Sequence, residues 1–241
     1  MSCGQPHYMP LPGASEDVSQ TARLSDELAM AIHLGDLKPG APLREVDLAE
    51  AHGVSRTIVR AALQRLEAQG LADIVLNKGA RVRSVKGEAV PDLIELHANL
   101  AALAARHAAI RAEESSTALM RRFVDMMDHV ATEGAQAREV QHLRVGFLRT
   151  LFEAAGPTLA ERLRVAAPAV PHHDNAMADI SSAIGQKEVA RLARDILTAV
   201  SRHDADAAAL AARTLLERHG ERTREIVLPV PSQRGKRNRA A

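Results

Sequence analysis

A chain of 241 residues with 46% hydrophobic and 25% charged residues has the balance of a globular protein of one large domain or two small ones, which excludes disordered, collagen-like and mucin-like classes. The formal net charge is only +1. No apolar run reaches the roughly 18 residues of a bilayer span, since Ala98 to Ile110 is broken by Asn99, Arg106 and His107. The lone Cys3 cannot form an intrachain disulfide, and no charged segment followed by an apolar core opens the chain. A cytoplasmic protein without membrane association is expected. Aromatics are confined to Tyr8, Phe123, Phe147 and Phe152, too few for a base-stacking or sugar-stacking surface.

Charge segregates along the first third of the chain. Met1 to His52 carries three basic residues (Arg23, Lys38, Arg44) against eight acidic ones, whereas Gly53 to Val85 carries six basic (Arg56, Arg60, Arg65, Lys78, Arg81, Arg83) against Glu67 and Asp73. A basic stretch after an acidic one fits a footprint for phosphate, and equally an ordinary solvated face.

Residues 1–16 read as a flexible leader rich in Gly, Pro and Ser, and 17–85 as the first domain. A helix is predicted from Val18 to Leu34 with Leu24, Leu28, Ala31 and Ile32 on one face, ended by Gly35. Lys38 to Pro42 is a turn or extended link, because Pro39 and Pro42 lack amide donors. A short helix from Glu45 to Ala51 follows, then a tight turn at His52-Gly53 and a second helix that Ser55 can cap. In that helix Ile58, Val59, Ala62, Leu63 and Leu66 face a core, leaving Arg56, Thr57, Arg60 and Gln64 on the other side. Gly70 suits a left-handed helix end; Leu71–Leu76 and Ala80–Val85 then read as a hairpin turning at Asn77-Lys78-Gly79, with Arg81 and Arg83 outward. The unit is a winged helix-turn-helix.

Residues 86–91 form a linker, and residues 92–228 are helical throughout, with breaks expected near Glu113–Ser116, Thr132–Ala135, Gly156-Pro157, Pro168–Asn175, Gly185 and His203-Asp204. Residues 229–241 are a basic disordered tail. The fold class is mainly α: an N-terminal winged helix-turn-helix plus a C-terminal all-α helical bundle.

A helix fits the DNA major groove and reads bases with side chains near its N-terminal end, while basic groups and helix-terminal amides hold phosphates. The candidate DNA contacts are Arg44, Ser55, Arg56, Thr57, Arg60, Lys78 and Gly79. Arg56 or Arg60 can fork onto guanine O6 and N7; Ser55 and Thr57 can bond phosphate at the helix N-terminus. Lys78 and Gly79 suit a wing tip close to the duplex. Arg81 and Arg83 are as readily an exposed strand face as phosphate contacts.

The run GDLKPGAPLREVDLAEAHGVSRTIVRAALQRLEAQGLADIVLNKGARV, Gly35 to Val82, resembles the DNA-binding domain of the GntR family of bacterial transcription regulators. It has the PG, L-x-E-x-x-LA, GVSR-T-x-VR-x-AL-x-RL and GL elements and a Gly-containing wing. The resemblance implies that Arg56, Thr57 and Arg60 are recognition-helix contacts and Lys78-Gly79 the wing contact. Val46 stands where some members have a phosphate-binding Arg, and Ala61 where a Glu usually follows, which removes a charge that could orient Arg56 or Arg60.

The helical remainder resembles the effector domain of the FadR-like subfamily, called FCD, in LIELHANLAALAARHAA from Leu93, RVGFLRTLFEAAG from Arg144 and ARDILTAVSRHDADAAALAARTLL from Ala193. Many members hold a divalent metal there with an Asp and three His. In this chain Arg144, Leu148, Ala193 and Leu215 occupy those positions, so no metal and no other cofactor are expected. Arg144 instead offers a bidentate fork to a carboxylate effector, with His97 a second donor and Leu148, Ala193 and Leu215 around it. Pairing of Arg144 with an internal carboxylate such as Glu188 or Asp195 is the competing reading.

His172-His173-Asp174 is a loop whose histidines point opposite ways, and His107, His129, His142, His203 and His219 read as surface residues. No nucleophile elbow, phosphate loop or H-E-x-x-H is present, so no enzymatic activity is expected. The expected function is regulation of transcription, as a repressor, by a homodimer on two-fold double-stranded DNA, modulated by a small carboxylate effector. A metal-dependent sensor or enzyme rebuilt on His97 and His142, and a ligand-independent DNA binder, are the alternatives.

Overall fold

The structure, a computed structural model, describes residues 19–75, 79–84, 90–134, 136–166 and 182–227. The leader, Lys78 at the wing tip, His172-His173-Asp174 and the basic tail lie outside the described residues.

Helix α1 (Gln20–Leu34) starts two residues later than the Val18 predicted, because the Ser19 hydroxyl accepts the Ala22 amide at 3.3 Å and so caps the first turn. Gly35, at φ 76°, ends it. Strand β1 (Pro42–Leu43) occupies the segment expected to be only a link. It pairs antiparallel with β3 through Pro42 opposite Arg81 and Leu43 opposite Ala80. On an edge strand the missing proline N–H costs no ladder bond. Helices α2 (Glu45–His52) and α3 (Arg56–Ala68) follow. Gly53, at φ 64°, makes the turn between them, a conformation that a side chain would strain. Strands β2 (Ala72–Val75) and β3 (Gly79–Val82) complete a three-stranded sheet in the order β1-β3-β2.

The core of this unit joins Leu24, Leu28 and Ile32 of α1 to Val59, Ala62, Leu63 and Leu66 of α3 and to Leu43, Ala80 and Val82 of the sheet. Each fully buried Val or Leu contributes about 1.5–3 kcal/mol, so the apolar face of α3 fixes which face is left to solvent. Ile58 is only partly buried at its margin, as is Ala31 at that of α1.

The C-terminal region comprises, among the described residues, α4 (Val90–Arg111), α5 (Glu114–Glu133), α6 (Ala137–Ala154), α7 (Pro157–Ala166), α8 (Ala183–Ser201) and α9 (Ala205–Val227). The linker expected at 86–91 is shortened at its end, since α4 takes in Val90 and Pro91; proline is tolerated in a first helical turn, where its amide would have no partner. Gly185 breaks nothing. The Ser182 hydroxyl accepts its N–H at 3.1 Å and α8 has already begun at Ala183. Alanines 98, 101, 104, 105, 108 and 109 of α4 are buried, which lets α9 approach closely. Phe123, Phe147, Met120, Met127, Leu151, Ile196 and Leu215 fill the centre.

Helix α1 belongs to both regions. Its Leu24, Leu28 and Ile32 face the winged unit, while Met30 and Leu34 enter the C-terminal core. Arg138 of α6 grips Asp36 through both terminal guanidinium nitrogens, the longer bond being 2.7 Å.

Candidate nucleic-acid interface

The Ser55 hydroxyl accepts the Ile58 amide at 3.3 Å, so α3 opens with a satisfied cap and its N-terminal turn faces outward. Ser55, Arg56, Thr57, Arg60 and Gln64 are all exposed, as the helical period predicted. Beside them lies a cleft of about 720 Å³ whose lining includes Arg44, Glu45, Arg56, Arg60, Gly79 and Arg81. Thus α2, α3 and the sheet bring four arginines to one concave surface. Ser55 and Thr57 stand at the N-terminal end of α3, outside this lining. Arg83 turns aside and donates to Asp73 Oδ1 at 2.8 Å, which leaves Arg81 as the exposed cation of the strand.

Glu45 organises the arginines. Arg60 donates Nε to Glu45 Oε1 and Nη2 to Oε2, both at 2.9 Å, and Arg56 Nη2 reaches Oε2 at 3.3 Å. The bonds from Arg60, followed by that from Arg56, hold the Glu45 carboxyl below the usual carboxylate range, and the same contact raises Arg60. The orienting charge missing at Ala61 is therefore supplied from the first turn of α2. Sequence reasoning named the motif that contains Glu45 but gave that residue no role. Its signal is a carboxylate 11 and 15 residues before the two arginines, a separation that becomes contact once the Gly53 turn folds α2 against α3.

Chemically, this is a preorganised fork. Exposed ion pairs contribute at most about 1 kcal/mol, so a phosphate or a guanine edge can take a guanidinium from Glu45 at little cost. A freed or shared carboxylate can in turn accept from cytosine N4.

The effector candidates are distributed over the C-terminal helices: His97 on α4, Arg144 and Leu148 on α6, Ala193 on α8 and Leu215 on α9. Arg144, Ala193 and Leu215 are buried; Leu148 is partly buried against the core. Arg144 Nε donates to Gln141 Oε1 at 3.0 Å, and Gln141 Nε2 donates to the His33 carbonyl at 3.3 Å. His33, which sequence reasoning overlooked, joins the cluster: withdrawal of its ring from water, then the charges of Arg144 and His97, lower its pKa to about 4. The ring is neutral at pH 7, and Arg144 carries the positive charge. Asp195, one suggested internal partner, is bonded by Arg191 instead. Among the described residues no group of three or more His, Cys, Asp or Glu is placed to hold a metal.

Of the histidines expected at the surface, His107 and His142 are partly buried, whereas His203 is exposed. His142 is lowered chiefly by burial and then by Arg138 and Arg149. His203 turns the chain at φ 57°, with Nδ1 at 2.9 Å from the Ala109 carbonyl oxygen, and Nδ1 of His107 is buried. Among the described residues no helix is long and apolar enough to cross a membrane.

Residues 20–82 match the family described as "Bacterial regulatory proteins, gntR family". The "Nta operon transcriptional regulator" of Aminobacter aminovorans is 37% identical over 97 residues, 40% of this chain and 45% of that protein. The "Probable D-xylose utilization operon transcriptional repressor" of Paenarthrobacter nicotinovorans is 31% identical over 134 residues, 56% of this chain and 58% of that protein. The aligned parts thus span about half of these relatives. In overall fold the chain is similar to E. coli McbR/YncC, with a TM-score of 0.70 at 20% identity over 87% of this chain and 97% of that one. It is also similar to a Rhodococcus sp. RHA1 structure described as a transcriptional regulator GntR, with a TM-score of 0.62 at 22% identity over 86% and 98%.

Proposed function

We propose, with the gntR-type DNA-binding domain at residues 20–82 as premise, that this protein regulates transcription by binding duplex DNA and releasing it when a small carboxylate occupies the C-terminal helices. The observation that carries the DNA reading is the outward face of α3, with Arg56 and Arg60 held side by side on Glu45 above a cleft lined by Arg44, Arg81 and Gly79. Arg56 and Arg60 read base edges; Ser55 and Thr57 hold phosphate at the helix N-terminus; Lys78-Gly79 is the wing contact.

One recognition helix supplies too little contact for operator-level affinity, so a homodimer on a two-fold site is part of the reading. A surface suited to pairing runs along α4, where Leu96, Leu103 and Ile110 recur every seven residues at 41%, 40% and 61% exposure, with Leu210 of α9 at 66%. The FCD-type effector role rests on the burial of Arg144, whose guanidinium is an anion anchor that needs no metal, with Leu148, Ala193 and Leu215 as the other candidate positions. Repression follows from this scheme, because ligand release of DNA restores transcription. No catalytic step is assigned, and a cytoplasmic site of action goes with the role.

Selection of duplexes from a random pool tests the DNA reading. The expected product is a palindromic site bound by two subunits; recovery of no sequence above background would overturn it. Thermal shifts with succinate, citrate and gluconate test the effector reading, with stabilisation expected from at least one acid and lost in Arg144→Met. An equal shift in that variant would remove Arg144 from the site, and no shift with any acid would favour a ligand-independent DNA binder.

A further inference from the structure

Gln141 is 4% exposed and stands where α6 meets the end of α1. Its amide is used at both ends: Oε1 accepts from Arg144 Nε at 3.0 Å, and Nε2 donates to the carbonyl of His33 at 3.3 Å. That carbonyl lies in the last turn of α1, where helix carbonyls lack an intrahelical partner and must find one elsewhere. The neighbouring carbonyls are already served, that of Ile32 by the Gly35 amide at 3.2 Å and that of Ala31 by the Leu37 amide at 3.1 Å.

We propose that Gln141 is a positioning residue that carries the state of Arg144 to the end of α1, and through α1 to the DNA-reading helix. The inference deepens the reading of Arg144 as the effector anchor and rests on it. The chemistry is directional. A primary amide oriented by a guanidinium on its oxygen must present its NH2 to the opposite side. When a carboxylate draws the Arg144 fork away, the orienting bond is lost, Gln141 is free to rotate, and the His33 carbonyl loses its donor. The turn it closes carries Met30 and Leu34, which lie in the C-terminal core, and Ile32, which lies in the winged core with Val59, Leu63 and Leu66 of α3. Loosening this turn therefore changes how the recognition helix is held relative to the helical domain. The Arg138–Asp36 pair, one turn earlier on α6, marks the pivot.

The test needs no ligand, because Arg144→Met withdraws the guanidinium as a bound anion would. Amide hydrogen exchange of the full chain is measured for wild type, Arg144→Met, Gln141→Leu and the double variant. Thr150→Val serves as the control: its buried hydroxyl donates to the Gly146 carbonyl of its own helix. The expected result is at least a fivefold faster exchange at Gly35 and Leu37 in each single variant, no further increase in the double variant, and wild-type rates at those amides in the control. Unchanged rates in the single variants, additive rates in the double, or an equal rise in Thr150→Val would each overturn the relay. Failure of the effector reading would show separately, as acids that do not stabilise the wild-type protein.

Discussion

The winged unit and the helical region differ in where each keeps its charge. The winged unit buries an apolar core and displays its arginines: Arg56 and Arg60 are 63% and 61% exposed in their side chains and are tethered by Glu45. The helical region does the reverse with Arg144, which is 6% exposed and bonded to a buried glutamine. An exposed guanidinium can exchange partners cheaply, which suits reading a large external polyanion. A buried one has given up water and depends on fixed partners, which suits holding a small anion. On the proposed reading the contrast separates a surface for DNA from an anchor for a small anion, and α1, whose side chains enter both cores, joins the two regions.

The largest expected break is in the helical core. Phe147→Ala removes a fully buried ring at the centre of α4–α9 and should cost about 3–5 kcal/mol in denaturant unfolding. Secondary structure of the winged unit should persist better than that of the helical region. Equal loss in both would mean that the shared helix α1 makes them one cooperative unit.

Acid should act on the junction. His33 ionises near 4 in the fold against an ordinary value of 6.5, so the unfolded chain takes up a proton that the folded one refuses. Its contribution is complete above pH 6.5 and lost as pH falls towards 4, by roughly 3 kcal/mol in all. His142 shifts in the same direction and adds to the loss. Urea titrations at pH 7 and pH 4.5 check this, and His33→Gln should flatten the dependence.

On the DNA side the effects are smaller. Arg56→Ala should weaken binding to a selected duplex by about 1–2 kcal/mol, within the range of a single side chain's base contact. Ser55→Ala should cost about 1 kcal/mol of stability by uncapping α3, read as a lower denaturation midpoint with base preference unchanged.

Much of the winged unit was legible in the sequence because its signals are local. The Gly53 turn, the Ser55 cap and the apolar spacing from Val59 to Leu66 depend on neighbours within one or two turns. Strand β1 was not legible, since Pro42 and Leu43 become a strand only by pairing with Arg81 and Ala80. Glu45 was missed for the same reason. Its partners lie 11 and 15 residues away, and nothing in the periodicity of α2 says which way its first turn faces. In the helical region, Arg144 stood out because it occupies the position where the resembled family holds a metal-ligating Asp. Gln141 and His33 did not, because a glutamine and a backbone carbonyl acquire meaning only when α6 and α1 are packed together. Gly185 misled because a glycine reads as a break unless the Ser182 cap before it is recognised.

The central claim is that the outward face of α3 reads base sequence. Fluorescence anisotropy of wild type and Arg60→Ala on a selected duplex and on a scrambled duplex of equal length tests it most directly. The account predicts that Arg60→Ala lowers affinity for the selected duplex by at least tenfold while changing affinity for the scrambled one much less. An equal, small change on both duplexes would contradict it.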